Sequence, residues 1–392
     1  MNRIQTLALA VVAILVTLPA LAQKETANWF FGNNAAVSFA SDSGVVVTKA
    51  RLTTEEGSAS LSDKDGNLLF YNNGITVWNR DHRVMPNGNR LMGHKSSTQS
   101  ALILPKPGND SIYYIFTTDV QAQSNGLRYS IVNLNKQGGK GDVVSRNNIM
   151  LMPATEKLTA VRHSNNRDYW VIAHRWNSDA YHAYLVSSDG VSIEPIISNV
   201  GAVHGGSNKK AIGYLKPSPD GTRLAAALWN DTSSVELLNF NRGSGQLSNP
   251  IALEGLEEAY GVAFSPDGSK LYVTANGKGG GNAQIVQYDL RAGSAAGIAA
   301  SATVVGRSVS RKLGALQLAP DGKIYVARKN ESYLGVIQVP NQRGEAAGYV
   351  DKGLYLGGQK SDMGLPNFPQ GLEHSSIQSP QRYLTGPASS EK

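Results

Sequence analysis

One short phrase recurs along this chain of 392 residues and constrains its fold more than any other feature. Residues 218–221, 265–268 and 319–322 read Ser/Ala-Pro-Asp-Gly, and a strand-forming run follows each of them. Proline presets φ and glycine takes the positive φ of a tight turn, so the phrase predicts a two-stranded hairpin. Weaker copies of the pattern stand upstream at residues 62–70, 107–114 and 165–171.

The six copies recur at the length of one four-stranded propeller blade. Their turn residues are separated by 43 to 57 positions, and a period of this size indicates repeated supersecondary units. The predicted turn residues are Gly66, Asn109, Asn166, Gly221, Gly268 and Gly322. The sequence therefore predicts an all-β protein built as a WD40-like β-propeller.

The two ends of the chain supply a seventh blade. Residues 29–39 form a predicted hairpin that lacks an inner strand, whereas residues 363–370 look like an inner strand with no hairpin after it. Joining the two closes the ring and removes the exposed sheet edges of an open array. We therefore predict a seven-bladed β-propeller whose ring is closed by N- and C-terminal strands.

The predicted boundaries place a single domain between an export signal and a short tail. A basic start, an apolar run and two small residues before the cleavage point predict a signal peptide over residues 1–22. One propeller domain is predicted over residues 23–374, and residues 375–392 are predicted to be disordered. The apolar run is shorter than the roughly 20 residues that span a bilayer, so we expect no transmembrane segment. We expect an exported protein of the periplasm, the outer-membrane-associated surface or the extracellular space.

Composition excludes several classes of function. The chain has no cysteine, which excludes disulfides, thiolate metal sites and a cysteine nucleophile. A net charge of +7 without a run of five like charges argues against nucleic-acid binding. Gly-x-Ser-x-Gly and His-Glu-x-x-His signatures are absent, so the sequence predicts no catalytic residue, no metal ligand and no cofactor.

The Asp63-x-Asp65-Gly66-Asn67 segment has calcium-loop spacing but lacks the closing glutamate, which favours a hairpin turn.

Six motifs occur in order along the chain, at residues 96–102, 156–161, 168–171, 213–216, 314–325 and 364–368. As a set they resemble a secreted propeller region that is widespread in the Bacteroidota, and the resemblance covers nearly the whole mature chain. In that family the propeller often precedes adhesion-type repeats and a C-terminal signal for type IX secretion or gliding-motility-associated surface display. The resemblance implies a surface or secreted protein and no particular chemistry. We expect this chain to lack the C-terminal sorting domain.

Propeller topology predicts where a ligand would bind. All inner strands begin at one end of the central channel, which we call the inner-strand mouth, and the hairpin turns gather at the other end, the turn mouth. Turn chemistry explains the aspartates of the turn mouth. Nothing local explains the polar residues at the inner-strand mouth, so we predict a mildly basic binding surface there. The predicted binding residues are Lys95, Gln99, Lys157, His204, Lys209, Lys210, Glu258, Tyr260, Arg311 and Lys312.

These features favour a non-enzymatic propeller that binds an envelope or surface protein, or an acidic glycan, at the inner-strand mouth. A solvated rim without a ligand is the simpler interpretation of the same residues. The alternative function is a lactonase- or lyase-like enzyme, in which Glu56, His204 and Glu258 would bind a divalent cation and activate water or remove a proton. Propellers host both kinds of function, so the fold alone does not decide between them.

Overall fold

A computed structural model describes residues 24–41, 44–47, 50–229, 233–279 and 282–372. These residues form seven antiparallel sheets, almost without helix, arranged as a β-propeller, which confirms the predicted fold class. The predicted signal peptide and the predicted C-terminal tail lie outside the described residues. No helix in the described ranges is long and apolar enough to cross a membrane.

The N-terminal sheet and the next three sheets follow one another along the chain. We number the N-terminal sheet blade 7, because the C-terminal segment joins it, and number the remaining blades in chain order. Blade 7 contains β1 (Asn28–Phe31), β2 (Ala35–Ser38) and β3 (Val45–Val46); blade 1 contains β4 (Ala59–Ser62), β5 (Leu68–Asn72) and β6 (Val77–Asn79); blade 2 contains β7 (Ala101–Lys106), β8 (Asn109–Thr118), β9 (Leu127–Asn133) and β10 (Asp142–Leu151); blade 3 contains β11 (Ala154–Arg162), β12 (Tyr169–Arg175), β13 (Ser178–Ser187), β14 (Gly190–Val191) and β15 (Ile196–His204).

Blades 4 to 6 each contain four strands in consecutive order. Blade 4 contains β16 (Leu215–Pro217), β17 (Arg223–Leu228), β18 (Ser233–Phe240) and β19 (Leu247–Leu256); blade 5 contains β20 (Ala259–Phe264), β21 (Lys270–Ala275), β22 (Gln284–Asp289) and β23 (Thr303–Arg307); blade 6 contains β24 (Leu313–Leu318), β25 (Ile324–Arg328), β26 (Tyr333–Ile337) and β27 (Tyr349–Tyr355). A short helix, α1 (Ala295–Ala300), lies between β22 and β23, and 3-10 turns occur at Val120–Ala122, Gln137–Gly139, Asn208–Ala211 and Gly344–Ala347.

The repeated phrase forms the predicted turn between the first two strands of a blade. Gly221, Gly268 and Gly322 adopt φ of +71°, +67° and +77°. Ser218 Oγ donates to the Asp220 carboxylate, which in turn accepts a bond from a backbone amide of the same turn. These bonds join residues that are close in sequence, so the turn conformation follows from local chemistry.

One predicted turn residue is off by one position. In blade 2 the positive φ falls on Gly108, at +75°, and not on Asn109. The register pairs Lys106 with Asn109, so Pro107 and Gly108 form a two-residue loop. The calcium-like segment is also a turn, because the Asp63 carboxylate accepts bonds from two backbone amides within it.

The N-terminal sheet occupies the space between blades 6 and 1. Trp29 packs edge-on against Tyr325 of blade 6, with ring centroids 5.7 Å apart. On the other face Phe30 stacks on Tyr71 of blade 1 at 4.2 Å. Apolar side chains on both faces of β1 are buried. For this reason polar and apolar residues do not alternate along the strand.

The C-terminal segment closes the ring and then enters the channel. Asn33 N donates to Lys360 O at 2.8 Å, Met363 N donates to Glu55 O at 3.0 Å, and Ala315 N donates to Met363 O at 2.8 Å. These bonds tie the segment to blades 7, 1 and 6. Between this point and Leu372, the last described residue, the segment forms one further β-bridge, at Pro366, and does not extend as a regular strand along β1.

Residues 363–372, which we call the channel segment, fill the central channel. The Asn367 amide donates to Leu158 O at 2.9 Å and accepts from Gln99 Nε2 at 3.2 Å. Gln370 Nε2 reaches the turn mouth, where it donates to Pro219 O at 2.7 Å. The segment therefore contacts inner strands around the ring and runs from one mouth to the other.

Candidate functional site

Four side chains meet at the inner-strand mouth, directly above the channel segment. We call Glu56, Thr98, Glu156 and Tyr260 the mouth cluster. They come from the starts of four inner strands, in blades 1, 2, 3 and 5, because propeller topology brings these starts together. Three of the four are buried and Glu56 is half-buried, so the cluster has one edge at the surface.

Glu156 is a fully buried member of the mouth cluster. Its carboxyl accepts hydrogen bonds from Thr98 N at 2.7 Å, from Thr98 Oγ1 at 2.5 Å and from Gln121 N at 2.8 Å. Burial raises the pKa of Glu156, while these hydrogen bonds act in the opposite direction. The carboxyl therefore holds the start of blade 2 against the start of blade 3.

Glu56 forms the half-buried edge of the mouth cluster. Its Oε2 accepts a hydrogen bond from the Tyr260 hydroxyl at 2.7 Å and lies 3.3 Å from Thr98 Oγ1. Its Oε1 accepts from Ser96 Oγ at 3.2 Å. Burial, followed by repulsion from Glu156, raises the pKa of Glu56 to about 8.

Lys157 does not face a ligand. It is fully buried, and its Nζ donates to Ile212 O at 3.1 Å and to Ala211 O at 3.3 Å, at the end of a 3-10 turn. Burial lowers its pKa to about 7. Its ammonium joins blade 3 to the segment that leads into blade 4.

A second polar group lies beside the mouth cluster. Lys312 Nζ is 3.1 Å from Glu258 Oε2 and 4.5 Å from the centroid of the Trp229 ring. Trp229 meets Tyr260 edge-on at 5.6 Å, so its indole connects this ion pair to the mouth cluster. The positive charge of Lys312 is therefore partly used within the protein.

Two predicted binding residues are enclosed in the fold. Gln99 lies inside the channel, where its Oε1 accepts from Leu215 N at 2.7 Å and its Nε2 donates to the channel segment. His204 is buried between blades 3 and 4, with Nε2 3.1 Å from Glu236 Oε2 and its ring stacked on His174 at 3.6 Å. Neither side chain is available to a ligand at the surface.

The remaining predicted residues form the outer rim of the mouth. Lys95 is exposed and pairs with Glu55 at 2.9 Å. Lys209 and Arg311 are exposed, and Lys210 is half-buried. The structure thus divides the predicted site into a basic rim and a polar, buried floor.

The residues proposed for a metal-dependent enzyme do not converge. Glu56 belongs to the mouth cluster, Glu258 pairs with Lys312, and His204 pairs with Glu236 between two blades. Within the described ranges no three His, Asp or Glu side chains form a group that could hold one metal ion.

The predicted binding residues do not include three residues that the structure makes prominent. Glu156 stands next to the predicted Lys157, and a position at the start of an inner strand was a usable signal for it. Thr98 also lies just before an inner strand, but a threonine at such a position does not by itself indicate a functional residue. Trp229 follows the second strand of blade 4, and nothing local in the sequence connects it to the mouth.

A surface groove of about 590 Å³ lies between blades 4 and 5, away from the mouth cluster. Arg223, Ile251, Arg291 and Ile298 are among its lining residues. Most of its wall is exposed, and it shares no residue with the mouth.

Comparison with known proteins supports the fold alone. No family model and no curated protein matches the chain. A protein of Bacteroides uniformis named as a candidate 6-phosphogluconolactonase superposes with a TM-score of 0.51 at 13% identity, covering 86% of this chain and 98% of that one. A Lactobacillus plantarum protein superposes with a TM-score of 0.50 at 14% identity, with coverage of 86% and 98%. At such identities the likeness extends to the seven-bladed architecture, and surface display or type IX secretion stays a prediction.

Proposed function

We propose that this chain is an exported, non-enzymatic propeller that binds an anionic ligand of the cell envelope, an acidic glycan, at its inner-strand mouth. Export, the envelope location and the absence of catalysis are all parts of this proposal. A protein partner that presents carboxylates at its surface is the other ligand with the same chemistry.

The channel segment is the observation that carries the proposal. A substrate-binding channel needs an open cavity, whereas here Leu365 and Asn367 are buried within the channel and hydrogen-bonded to its wall. The mouth is thus a rigid surface that is closed below by the channel segment. Rigid surfaces of this kind suit recognition, because binding orders little of the protein.

The charges of the rim support an anionic ligand. Within the described mouth, Lys209 and Arg311 are exposed cations, and Lys210 and Lys312 are their neighbours in the sequence. Cations gathered around a concave polar surface raise the local concentration of anions. Multiple weak contacts of this kind are typical of binding to a charged polymer.

The test uses a carboxylated oligosaccharide and a neutral counterpart. We expect wild-type protein to bind oligogalacturonate and not its methyl ester in isothermal titration calorimetry at low salt. The double variant Lys209→Ala, Arg311→Ala should bind roughly tenfold more weakly, since it removes two rim charges. Lys157 is unsuitable for this test because its substitution would disturb folding.

Lys136→Ala, Lys352→Ala is the matched control, because both lysines are exposed on outer parts of blades 2 and 6. This control should bind as the wild type does. Equal binding of the ester, or equal weakening by both double variants, would contradict the proposed site. If no oligosaccharide binds but an envelope protein does so through Lys209 and Arg311, the ligand is a protein.

A further inference from the structure

We propose that Glu56 and Glu156 share one proton across the hydroxyl of Thr98, and that this proton determines whether the inner-strand mouth accepts an anionic ligand. The first part stands on geometry alone. The second part rests on the anion binding proposed above and names its regulation.

The hydrogen-bonding capacity of Thr98 places the proton. A threonine hydroxyl has one proton to donate and two lone pairs. Thr98 Oγ1 is closest to Glu156 Oε2, at 2.5 Å, and accepts from Gly213 N at 3.2 Å. With its proton directed at Glu156, only a lone pair is left to face Glu56 Oε2 at 3.3 Å.

Glu56 must then be the donor in this contact. If Glu56 were ionised, two oxygen atoms without a proton between them would face each other in a water-poor site, next to a second carboxylate. A proton on Glu56 Oε2 makes the contact attractive and leaves that oxygen able to accept from the Tyr260 hydroxyl at 2.7 Å. The bonding pattern is therefore complete with one proton for the two carboxyls.

The groups packed around Glu56 favour its neutral form. Tyr260 on β20 and Tyr214 beside β16 have pKa values raised by burial, so they stay neutral phenols. Lys157 on β11 points its ammonium at backbone carbonyls, and the outward-facing Glu55 pairs with Lys95. Within the described residues no cation forms an ion pair with Glu56.

The position of Glu56 links this proton to a ligand. Glu56 and Ser96 form the half-buried edge of the mouth cluster, at the same mouth as the rim cations. While Glu56 is neutral, those cations attract an anion and Glu56 does not repel it. Ionised Glu56 adds a negative charge where the ligand approaches, in surroundings that screen charge less than bulk water does.

The proton itself can be observed without any ligand. We expect the side-chain carboxyl carbon of Glu56, assigned by comparison with Glu56→Gln in ¹³C-glutamate-labelled protein, to titrate well above the ordinary glutamate range near pH 4.3. In Thr98→Val the step should move to lower pH, because protonated Glu56 loses its acceptor. A Glu56 resonance that titrates in the ordinary range would overturn the shared proton, whatever the protein binds.

The functional part is tested with oligogalacturonate at about pH 6 and about pH 9.5. The wild-type affinity should fall at least about tenfold between the two, and Glu56→Gln should keep most of its affinity at the higher pH. An equal loss in Glu56→Gln would assign the effect to Lys157 or the rim lysines and overturn the role of Glu56. Absence of binding at both pH values would refute the proposed ligand, while the carboxyl titration would still report on the proton.

Discussion

Two glycines allow the channel segment to approach the inner strands. A Cβ atom at Gly364 would lie 1.7 Å from Glu56 O, and one at Gly314 would lie 2.0 Å from Met363 O. Both clashes involve backbone atoms, which cannot rotate away as a side chain does. Gly364 also immediately follows the residue that bonds to Glu55, so the same contact fixes the position of Glu56.

Gly364→Ala should destabilise the protein by about 3 kcal/mol or more, because the added methyl group overlaps the main chain of blade 1. Urea unfolding followed by tryptophan fluorescence measures this loss. Gly243→Ala is the control: its nearest neighbours are side-chain atoms at 3.3 Å, and it should cost less than about 1 kcal/mol. A wild-type midpoint for Gly364→Ala would mean that the segment does not pass this close to blade 1.

Among the elements, blades 3 and 4 are joined by a buried polar interface. His174 of β12 stacks on His204 of β15, and Glu236 of β18 accepts hydrogen bonds from the Tyr181 hydroxyl at 3.0 Å and from Ala202 N. His174 Nε2 and His204 Nδ1 are buried and have no hydrogen-bond partner among the described residues. A proton added at either of these nitrogens would therefore be a buried donor without an acceptor.

This interface should make the protein sensitive to acid. Burial lowers the pKa of both histidines well below 6.5, so the unfolded chain takes up protons before the folded chain does. Their contribution to stability is present above pH 6.5 and is lost as the pH falls. His174→Phe keeps a ring of similar size for stacking but removes one titrating group.

We expect the free energy of unfolding to decrease less steeply between about pH 6.5 and about pH 5 in His174→Phe than in the wild type. Urea titrations at several pH values measure the slope. His94→Phe, at a half-buried position outside the interface, is the control for replacing a histidine by phenylalanine. A wild-type slope in His174→Phe would assign acid sensitivity to other groups.

At the scale of the whole molecule, the channel segment connects several blades at once. Pairing between two strands would connect at most two. The bonds of the channel segment reach Glu55 of blade 1, Leu158 of blade 3, Tyr214 at the start of blade 4 and Ala315 of blade 6. Ring closure at Lys360 and Met363 and the filling of the channel thus depend on one continuous stretch of chain, and the stability of the ring should depend on it.

A chain truncated after Leu356 should lose its cooperative thermal transition, because blades 6 and 1 would no longer be joined through Met363 and the channel would open to water. A chain truncated after His374, the predicted end of the domain, should melt as the full chain does. Circular dichroism and differential scanning calorimetry measure both. A cooperative, wild-type-like transition in the shorter chain would show that the N-terminal sheet closes the ring alone.

Local patterns in the sequence predicted the architecture well. Pro-Asp-Gly acts through φ and bonds within four residues, so Gly221, Gly268 and Gly322 could be placed without tertiary information. The one-position error at Asn109 arose where a Pro-Gly pair made the turn instead. The unmatched ends of the chain were enough to predict a seventh blade, but the predicted C-terminal inner strand enters the channel and does not pair along β1.

The site was predictable only as a region. The sequence by itself determined which residues precede the inner strands, and topology brings these to one mouth. Only the tertiary structure decided that Gln99 faces the channel, that His204 enters a blade interface and that Glu56, Thr98 and Glu156 share hydrogen bonds. The reason is physical: turns depend on neighbours in sequence, whereas the direction and charge of a side chain at the mouth depend on neighbours from other blades, which no local pattern specifies.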